Sequence, residues 1–517
     1  MASHGIVATG QPLAAQAGLD ILKAGGNAAD AAVATAAMLN VVEPMSTGIG
    51  GDMFAIVYEG KTGKISALNG SGRSPYAATI EKVRQAGHKT IPLRGFLPVT
   101  VPGAVAGWND LLKAHGTMTL GRVLDPAIAY ARDGFPVSEI IAGYWERALP
   151  KLKDDPAAAE NYLINGRPPK AGEIHHQPDL ARTLQAIAQG GADAFYRGAI
   201  AQAIVEHSRH NGGLFDLADF ADHTSTWTEP ISITYRGVKI YECPPNGQGL
   251  VALLALNMLQ DDDLAALGHN SADYLHLMLE VMKLAFADGY AHIADPDLSP
   301  APLDTLLSAA HAQEQRARVN MYHAAEGPFF DYGSDTVYLT VVDRDHNAVS
   351  FINSLYMGFG SGVVVPGTGI CLQNRGALFT LNPNHANALA PHKRPYHTII
   401  PALATKDGKL LMSFGVMGGF MQPQGHLQVV ANVVDFGMNP QQALDAPRFR
   451  FDEGYKVAVE SGVGEKTSAN LRSRGHDLTV TSEGLGFGGG QIIMVHRETG
   501  VLMGGSDPRK DGCAVGY

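Results

Sequence analysis

The sequence predicts an α+β protein in which sheets pack face to face and helices cover them. Three observations carry this. An Ala-rich helical stretch opens the chain, a mainly helical middle spans residues 104 to 320, and strand pairs around polar turns recur in both halves. Helices segregated onto sheets that also stack on each other give a layered architecture around shared cores.

Residues 11 to 42 read as two helices broken at Gly25-Gly26-Asn27. Asn27 is the expected N-cap of the second, because its side chain can accept from the first free N–H groups. Phe54 to Tyr58 and Ile65 to Leu68 read as strands joined by the polar turn Glu59 to Lys64. A further strand pair falls within Ile231 to Tyr241, before the turn Pro244-Pro245. After residue 335 strand pairs flank the turns Asp343 to Asn347, Lys406 to Lys409 and Arg497 to Gly500. Each sets apolar runs across a polar turn, as hairpins do. Helices return at 422 to 436 and 466 to 474. There is no repeat and no low-complexity tract.

A length of 517 residues is more than one small core needs. Hydrophobic residues make up 45% and charged ones 17%, the balance of a soluble globular chain. A net charge of -11 with no long basic run excludes nucleic acid as the expected partner. Cys243, Cys371 and Cys513 are odd in number and far apart, so neither a disulfide framework nor a metal cluster is expected from them. No leader pattern opens the sequence and no apolar run reaches the length of a membrane span. The expected location is cytoplasmic, or periplasmic if a leader precedes the sequence. No membrane partner, cofactor or metal is expected.

The chemistry centres on the junction Asp335-Thr336. The polar stretch Asp331 to Asp335 runs into Thr336 to Asp343, which is rich in β-branched and aromatic residues. A cut at this bond would give Thr336 a free α-amine beside its own hydroxyl, and that amine could serve as the hydroxyl's base. An ordinary strand threonine after a surface loop is the competing reading. With a symmetric turn at Asp343 to Asn347, Val342 faces Ala348 and Thr336 faces Ser354. Opposed Cβ atoms lie about 5 Å apart, so a second hydroxyl would sit beside the first. Gly418-Gly419 precedes a helical segment and could turn backbone N–H groups towards an oxyanion. Arg73, in a Gly-rich turn, could clamp a carboxylate.

Other signals lack their context. Gly484 to Gly489 matches GxGxxG but leads into a strand rather than a helix, which argues against a dinucleotide site. His175-His176 lack metal-ligand spacing. HExxH, Walker and GxSxG motifs do not occur.

Taken in order, the motifs resemble the γ-glutamyltransferase (γ-glutamyl transpeptidase) family of N-terminal-nucleophile hydrolases. They are Ser46-Thr47-Gly48-Ile49-Gly50-Gly51 with the Arg73 loop, Pro102 to Gly107, Asp125-Pro126-Ala127-Ile128, and Gly134 to Ser138. Asp193-Ala194-Phe195-Tyr196, the Thr336 segment, Gly418-Gly419 and Ser506-Asp507-Pro508-Arg509 complete the set. The resemblance implies a four-layer αββα sandwich shared by a large fragment, residues 1 to 335, and a small fragment, 336 to 517, intertwined in one unit. It implies Thr336 as the nucleophile freed at Asp335-Thr336, Ser354 as the second hydroxyl, Gly418 and Gly419 as the oxyanion hole, and Arg73 as the carboxylate clamp.

Departures from the family pattern bear on substrate. Tyr356 stands where typical transferases carry an asparagine. Arg375 and Leu378 replace a glutamine and an aspartate that bind an α-ammonium, and His397 and Thr398 replace a serine pair. Substrate-binding roles follow for Arg73, Tyr356, Arg375, His397 and Thr398. Loss of the anionic residue and gain of a cation argue against an ammonium there, although Arg375 could instead face solvent or pair with an acid. The expected function is a self-processing amidohydrolase or acyltransferase acting on a small amide with a carboxylate-bearing acyl group. A true γ-glutamyl transferase or glutathione hydrolase is the alternative, and an uncleaved metabolite-binding relative the remote one. A homo-oligomer is compatible with the sequence.

Overall fold

The computed structural model describes residues 1–328, 335–482 and 486–517, the side chain of Asp335 excepted. The polar approach at 331–334 and residues 484 and 485 of the glycine-rich run lie outside the described residues.

Among those residues, two large antiparallel sheets form the centre. The seven-stranded sheet has the order Cys513–Gly516, Ile6–Thr9, Asp335–Val342, Ala348–Tyr356, Asp52–Tyr58, Ile65–Gly70, Thr226–Thr228. The six-stranded sheet has the order Leu502–Ser506, Gly489–Val495, Lys409–Met417, Ala402–Lys406, Val238–Glu242, Ile231–Tyr235. Each sheet joins strands from both sides of the 335/336 junction, so the two segments are interleaved.

Three cores stack through the molecule. Side chains alternate across a strand, and in Asp335–Val342 they divide accordingly. Val337, Leu339 and Val341 meet the buried helix Ala28–Val42 in the first core. Tyr338 and Val342 point the other way, into the layer between the sheets, where Leu403, Met417 and Ile493 come from the second sheet. The helices Gly249–Met258, Ala272–His292 and Met421–Val434 cover the far face of that sheet in the third core. The result is the αββα sandwich expected from the sequence.

Local chemistry sets the elements that hold the site. Asn27 caps Ala28–Val42 in a reciprocal box with Asp30. The helix also donates its Ala28 N–H to Asp343 Oδ2. Asp343 holds the hairpin turn as well, accepting from Asp345 N, Asn347 N and Asn347 Nδ2. One buried carboxylate thus fixes the turn that sets the register of the Thr336 strand. Among the described residues no helix is long and apolar enough to cross a membrane.

Candidate active site

Thr336 is buried, and its side chain shares the inter-sheet face with Tyr338 and Thr340. A ladder of hydroxyl contacts runs along this face, Thr340 Oγ1 to Ser413 Oγ at 2.5 Å and Tyr338 Oη to Ser350 Oγ at 2.7 Å. The hairpin pairs Val342 with Ala348 and continues in step to Val337 with Asn353. It then shifts by one residue, so that Asp335 pairs with Tyr356. A β-bulge therefore sets Ser354 and Leu355 against Thr336, where the symmetric turn had placed Ser354 alone. The expected contact is nevertheless made: Thr336 Oγ1 lies 3.0 Å from Ser354 Oγ.

The bulge forces the chain into an unusual conformation at Tyr356, with φ 78°. An aromatic residue in this region is strained, and such strain is held only where the surroundings over-determine it. Here the Tyr356 N–H donates to Ser354 Oγ at 2.8 Å. The guanidinium of Arg375 stacks with Cζ 4.5 Å from the Tyr356 ring centroid.

Arg375 opens a short 3-10 turn, Arg375–Leu378, and is fully buried. Its Nη2 donates to Ser354 Oγ at 3.1 Å and its Nη1 to Thr398 Oγ1 at 2.6 Å. It neither faces solvent nor pairs directly with an acid among the described residues. Burial pushes its pKa down to about 10, against the opposing pull of Asp52 and Tyr356. His397 donates from Nε2 to Asp52 Oδ2 at 3.1 Å, because its Nδ1 accepts the Ile399 N–H. Burial, and then Arg375, push the His397 pKa down to about 3.

Asp52 ties these pieces together, and sequence reasoning missed it. Its Oδ1 accepts from Gly72 N, Gly103 N and Gln373 Nε2, each at 3.0 Å. The only local signal was its place directly after Gly50-Gly51. Gly72 allows the close approach of the Arg73 loop, since a Cβ there would lie 1.5 Å from Val101 O. Arg73 itself is largely buried. Its Nη2 is 3.7 Å from Asp297 Oδ2, and its buried Nη1 has no partner among the described residues. A buried donor without a partner invites an acceptor from a ligand.

Gly418 and Gly419 have φ of 128° and 58°, and lie just before the helix Met421–Val434. Neither N–H has an acceptor among the described residues. Gln248, also missed from sequence, donates from Nε2 to Thr398 O at 2.6 Å and Gly419 O at 2.8 Å. Thr336, Tyr356 and Arg375 meet at Ser354, Thr398 joins through Arg375, Gln248 links Thr398 to Gly419, and Asp52 holds His397. Arg73 and Gly418 are neighbours of this network along the chain, next to Gly72 and Gly419, rather than bonded members of it. A cavity of about 630 Å³ adjoins it, lined in part by Leu378, Tyr396 and Phe420.

A separate buried group, His276, Glu280 and His476, is close enough to hold an ion. The Lys283 ammonium already lies 2.7 Å from Glu280 Oε1 and balances its charge. His276 Nδ1 and His476 Nε2 are hydrogen-bonded to each other at 2.8 Å. The group's other bonds run to the backbone of Ala325 and Asn320, and His476 Nδ1 has no partner among the described residues.

The sequence model described as gamma-glutamyltranspeptidase matches residues 14–517. The chain is 41% identical to the Glutathione hydrolase-like YwrD proenzyme of Bacillus subtilis, over 98% of this chain and 97% of that protein. It is 35% identical to the Oxamate amidohydrolase proenzyme of Klebsiella pneumoniae, over 100% of this chain and 99% of that one. The crystal structure of cephalosporin acylase from Bacillus halodurans superposes with TM-score 0.95 at 48% identity, covering 100% of this chain and 96% of that one. The agreement of fold and relatives over the whole length means that the chain belongs to the gamma-glutamyltranspeptidase family, as a self-processing amidohydrolase/acyltransferase of the N-terminal-nucleophile class.

Proposed function

We propose that Thr336 is the nucleophile of this enzyme and that the precursor is cut at Asp335-Thr336, into a large fragment of residues 1–335 and a small fragment of 336–517. The observation that carries the reading is the buried contact of 3.0 Å between Thr336 Oγ1 and Ser354 Oγ. In self-cleavage the Thr336 oxygen adds to the Asp335 carbonyl carbon and the C–N bond breaks. The hydroxyl proton ends on the freed amine, and water hydrolyses the resulting ester. In turnover that amine takes the Thr336 proton as the hydroxyl attacks the substrate amide, then returns it to the leaving amine. The N–H groups of Gly418 and Gly419 bind the oxyanion. Water releases the acyl group.

The substrate class we infer is a small amide whose acyl part carries a carboxylate, held by Arg73. The orphaned Nη1 of Arg73 supports this. Arg375 and Leu378 argue against an α-ammonium on that acyl part, since a buried cation and an apolar wall provide no counter-charge for it. The relatives named for oxamate and cephalosporin chemistry fit this reading. Relatives named glutathione hydrolase favour the γ-glutamyl reading instead. A denaturing gel tests the first claim: wild type should run as two fragments and Thr336→Ala as one. Splitting of the Thr336→Ala chain would remove Thr336 from the role. Glutaryl and γ-glutamyl anilides test the second, with faster release from the glutaryl compound expected. A clear γ-glutamyl preference would overturn the inferred class.

A further inference from the structure

The contacts around Ser354 hold in place the hydroxyl that meets Thr336. A serine hydroxyl has one proton to give and two lone pairs to receive with. The Tyr356 N–H and Arg375 Nη2 both approach Ser354 Oγ, at 2.8 Å and 3.1 Å. Both groups can only donate, so together they occupy the accepting side of the oxygen. Thr336 Oγ1 lies 3.0 Å from the same oxygen, so the groups that hold the Ser354 hydroxyl in place also fix its contact with Thr336.

Arg375 is held for this task. Nη1 is anchored on Thr398 Oγ1 at 2.6 Å and the cation lies against the Tyr356 ring. The strained backbone of Tyr356 delivers the other donor to Ser354. Thr398 is in turn linked through Gln248 to Gly419, so the same scaffold spaces the guanidinium from the Gly418-Gly419 turn. A guanidinium fork suits the arrangement because two of its donors reach different acceptors at once.

We propose that Arg375 is a positioning residue for the nucleophile: acting through Ser354, it orients the hydroxyl in contact with Thr336 and supplies positive charge behind the oxygen that attacks. The proposal deepens the reading of Thr336 as nucleophile and rests on it. It assigns Arg375 a part in chemistry common to every substrate, including the chain's own Asp335-Thr336 bond, rather than a part in reading one acyl group.

Self-cleavage gives the discriminating readout, because no added substrate takes part in it. The experiment follows splitting of freshly synthesised precursor on denaturing gels. It compares wild type, Arg375→Gln, Arg375→Lys, Ser354→Ala and the Arg375→Gln/Ser354→Ala double variant. Glutaryl-anilide kinetics on the mature forms accompany it. Arg375→Gln should slow splitting and lower kcat by about 10²-fold, the scale of misplacing a reacting group by about 1 Å, with KM little changed. Arg375→Lys should recover part of both rates. Adding Ser354→Ala to Arg375→Gln should slow splitting no further than Ser354→Ala alone, because both act through one hydroxyl. Splitting of Arg375→Gln at the wild-type rate, with only KM raised, would overturn the proposal and return Arg375 to substrate reading. So would multiplicative effects in the double variant. If Arg375→Gln does not fold, Arg375→Lys decides alone: slowed splitting supports the proposal, and wild-type splitting with raised KM overturns it. Splitting of Thr336→Ala is a separate outcome, which removes the nucleophile reading itself.

Discussion

Two buried polar clusters in this molecule use nearly the same ingredients to opposite ends. One sets the Asp52–His397 pair near Arg375, which is bonded to the hydroxyls of Ser354 and Thr398, with Ser354 meeting Thr336. The other joins Glu280 and Lys283 to His276 and His476. In the second cluster the hydrogen bonds end on backbone. Glu280 Oε2 accepts the Ala325 N–H at 2.9 Å, Lys283 Nζ donates to Ala325 O at 2.7 Å, and His276 Nε2 donates to Asn320 O at 2.8 Å. This clamp fixes the chain at Asn320 and Ala325, ten or more residues before Asp335. In the first cluster Asp52 and His397 are likewise held by backbone, at Gly72, Gly103 and Ile399, but the Arg375 bonds converge on hydroxyls, one of them in contact with Thr336. A buried charge whose neighbours are peptide groups holds shape, whereas one whose neighbours are hydroxyls orients protons.

The difference can be broken from the clamp side with the largest effect. Glu280→Gln or Lys283→Met alone leaves one charge buried without its partner, and should cost about 3–5 kcal/mol of stability. The double replacement should recover most of that. Denaturant melts of the three variants check both points, and equal losses in single and double variants would mean that the pair is not coupled. Asp52→Asn probes the reactive cluster. It removes the counter-charge of the His397 and Arg375 region and should cost about 2 kcal/mol through its charge-assisted hydrogen bonds, with a larger proportional loss in kcat than in stability. Catalysis falling only as far as unfolding explains would make Asp52 a purely structural residue.

A pH slope is shared by both clusters. Burial holds the pKa of His397 and of His476 down at about 3. An unfolded imidazole titrates near 6.5. Between these values the unfolded chain binds protons that the folded chain does not, so stability falls as pH falls from about 6.5 towards 3. Each histidine contributes up to about 1.4 kcal/mol per pH unit across that window. Denaturant midpoints at pH 7, 6 and 5 measure the slope, and His476→Gln should reduce it without touching the reactive cluster.

What could be read from sequence followed from proximity along the chain. Asn27 and its helix, the hairpins, and the Thr336–Ser354 contact all depend on residues a few positions apart or on one turn. The register was legible because the turn Asp343 to Asn347 is short, and Asp343 holds it. The bulge at Ser354 and Leu355 was not, since nothing in a β-branched run marks where one extra residue is accommodated. Asp52 and Gln248 escaped notice for another reason. Asp52 meets His397 across 345 positions and Gln373 across 321, and Gln248 meets Gly419 across 171. Such partners are set by how the sheets stack. Arg375 was visible as a departure, but its direction depends on Thr398 and Ser354, which the short turn at Arg375–Leu378 brings beside it.

The interleaving of the sheets has a consequence for the lifetime of the enzyme. The strand Asp335–Val342 has Ile6–Thr9 on one side and Ala348–Tyr356 on the other. A cut at its start separates nothing, because each resulting piece lacks the strands that complete its own sheets. Precursor refolding is a first-order process within one chain. Recovery of the cut form requires two pieces to meet and becomes second order in their concentration. With the cut proposed at Asp335-Thr336, maturation would act as a ratchet: a cut molecule that opens would have lost the covalent link that first assembled it, so its persistence would rest on slow unfolding.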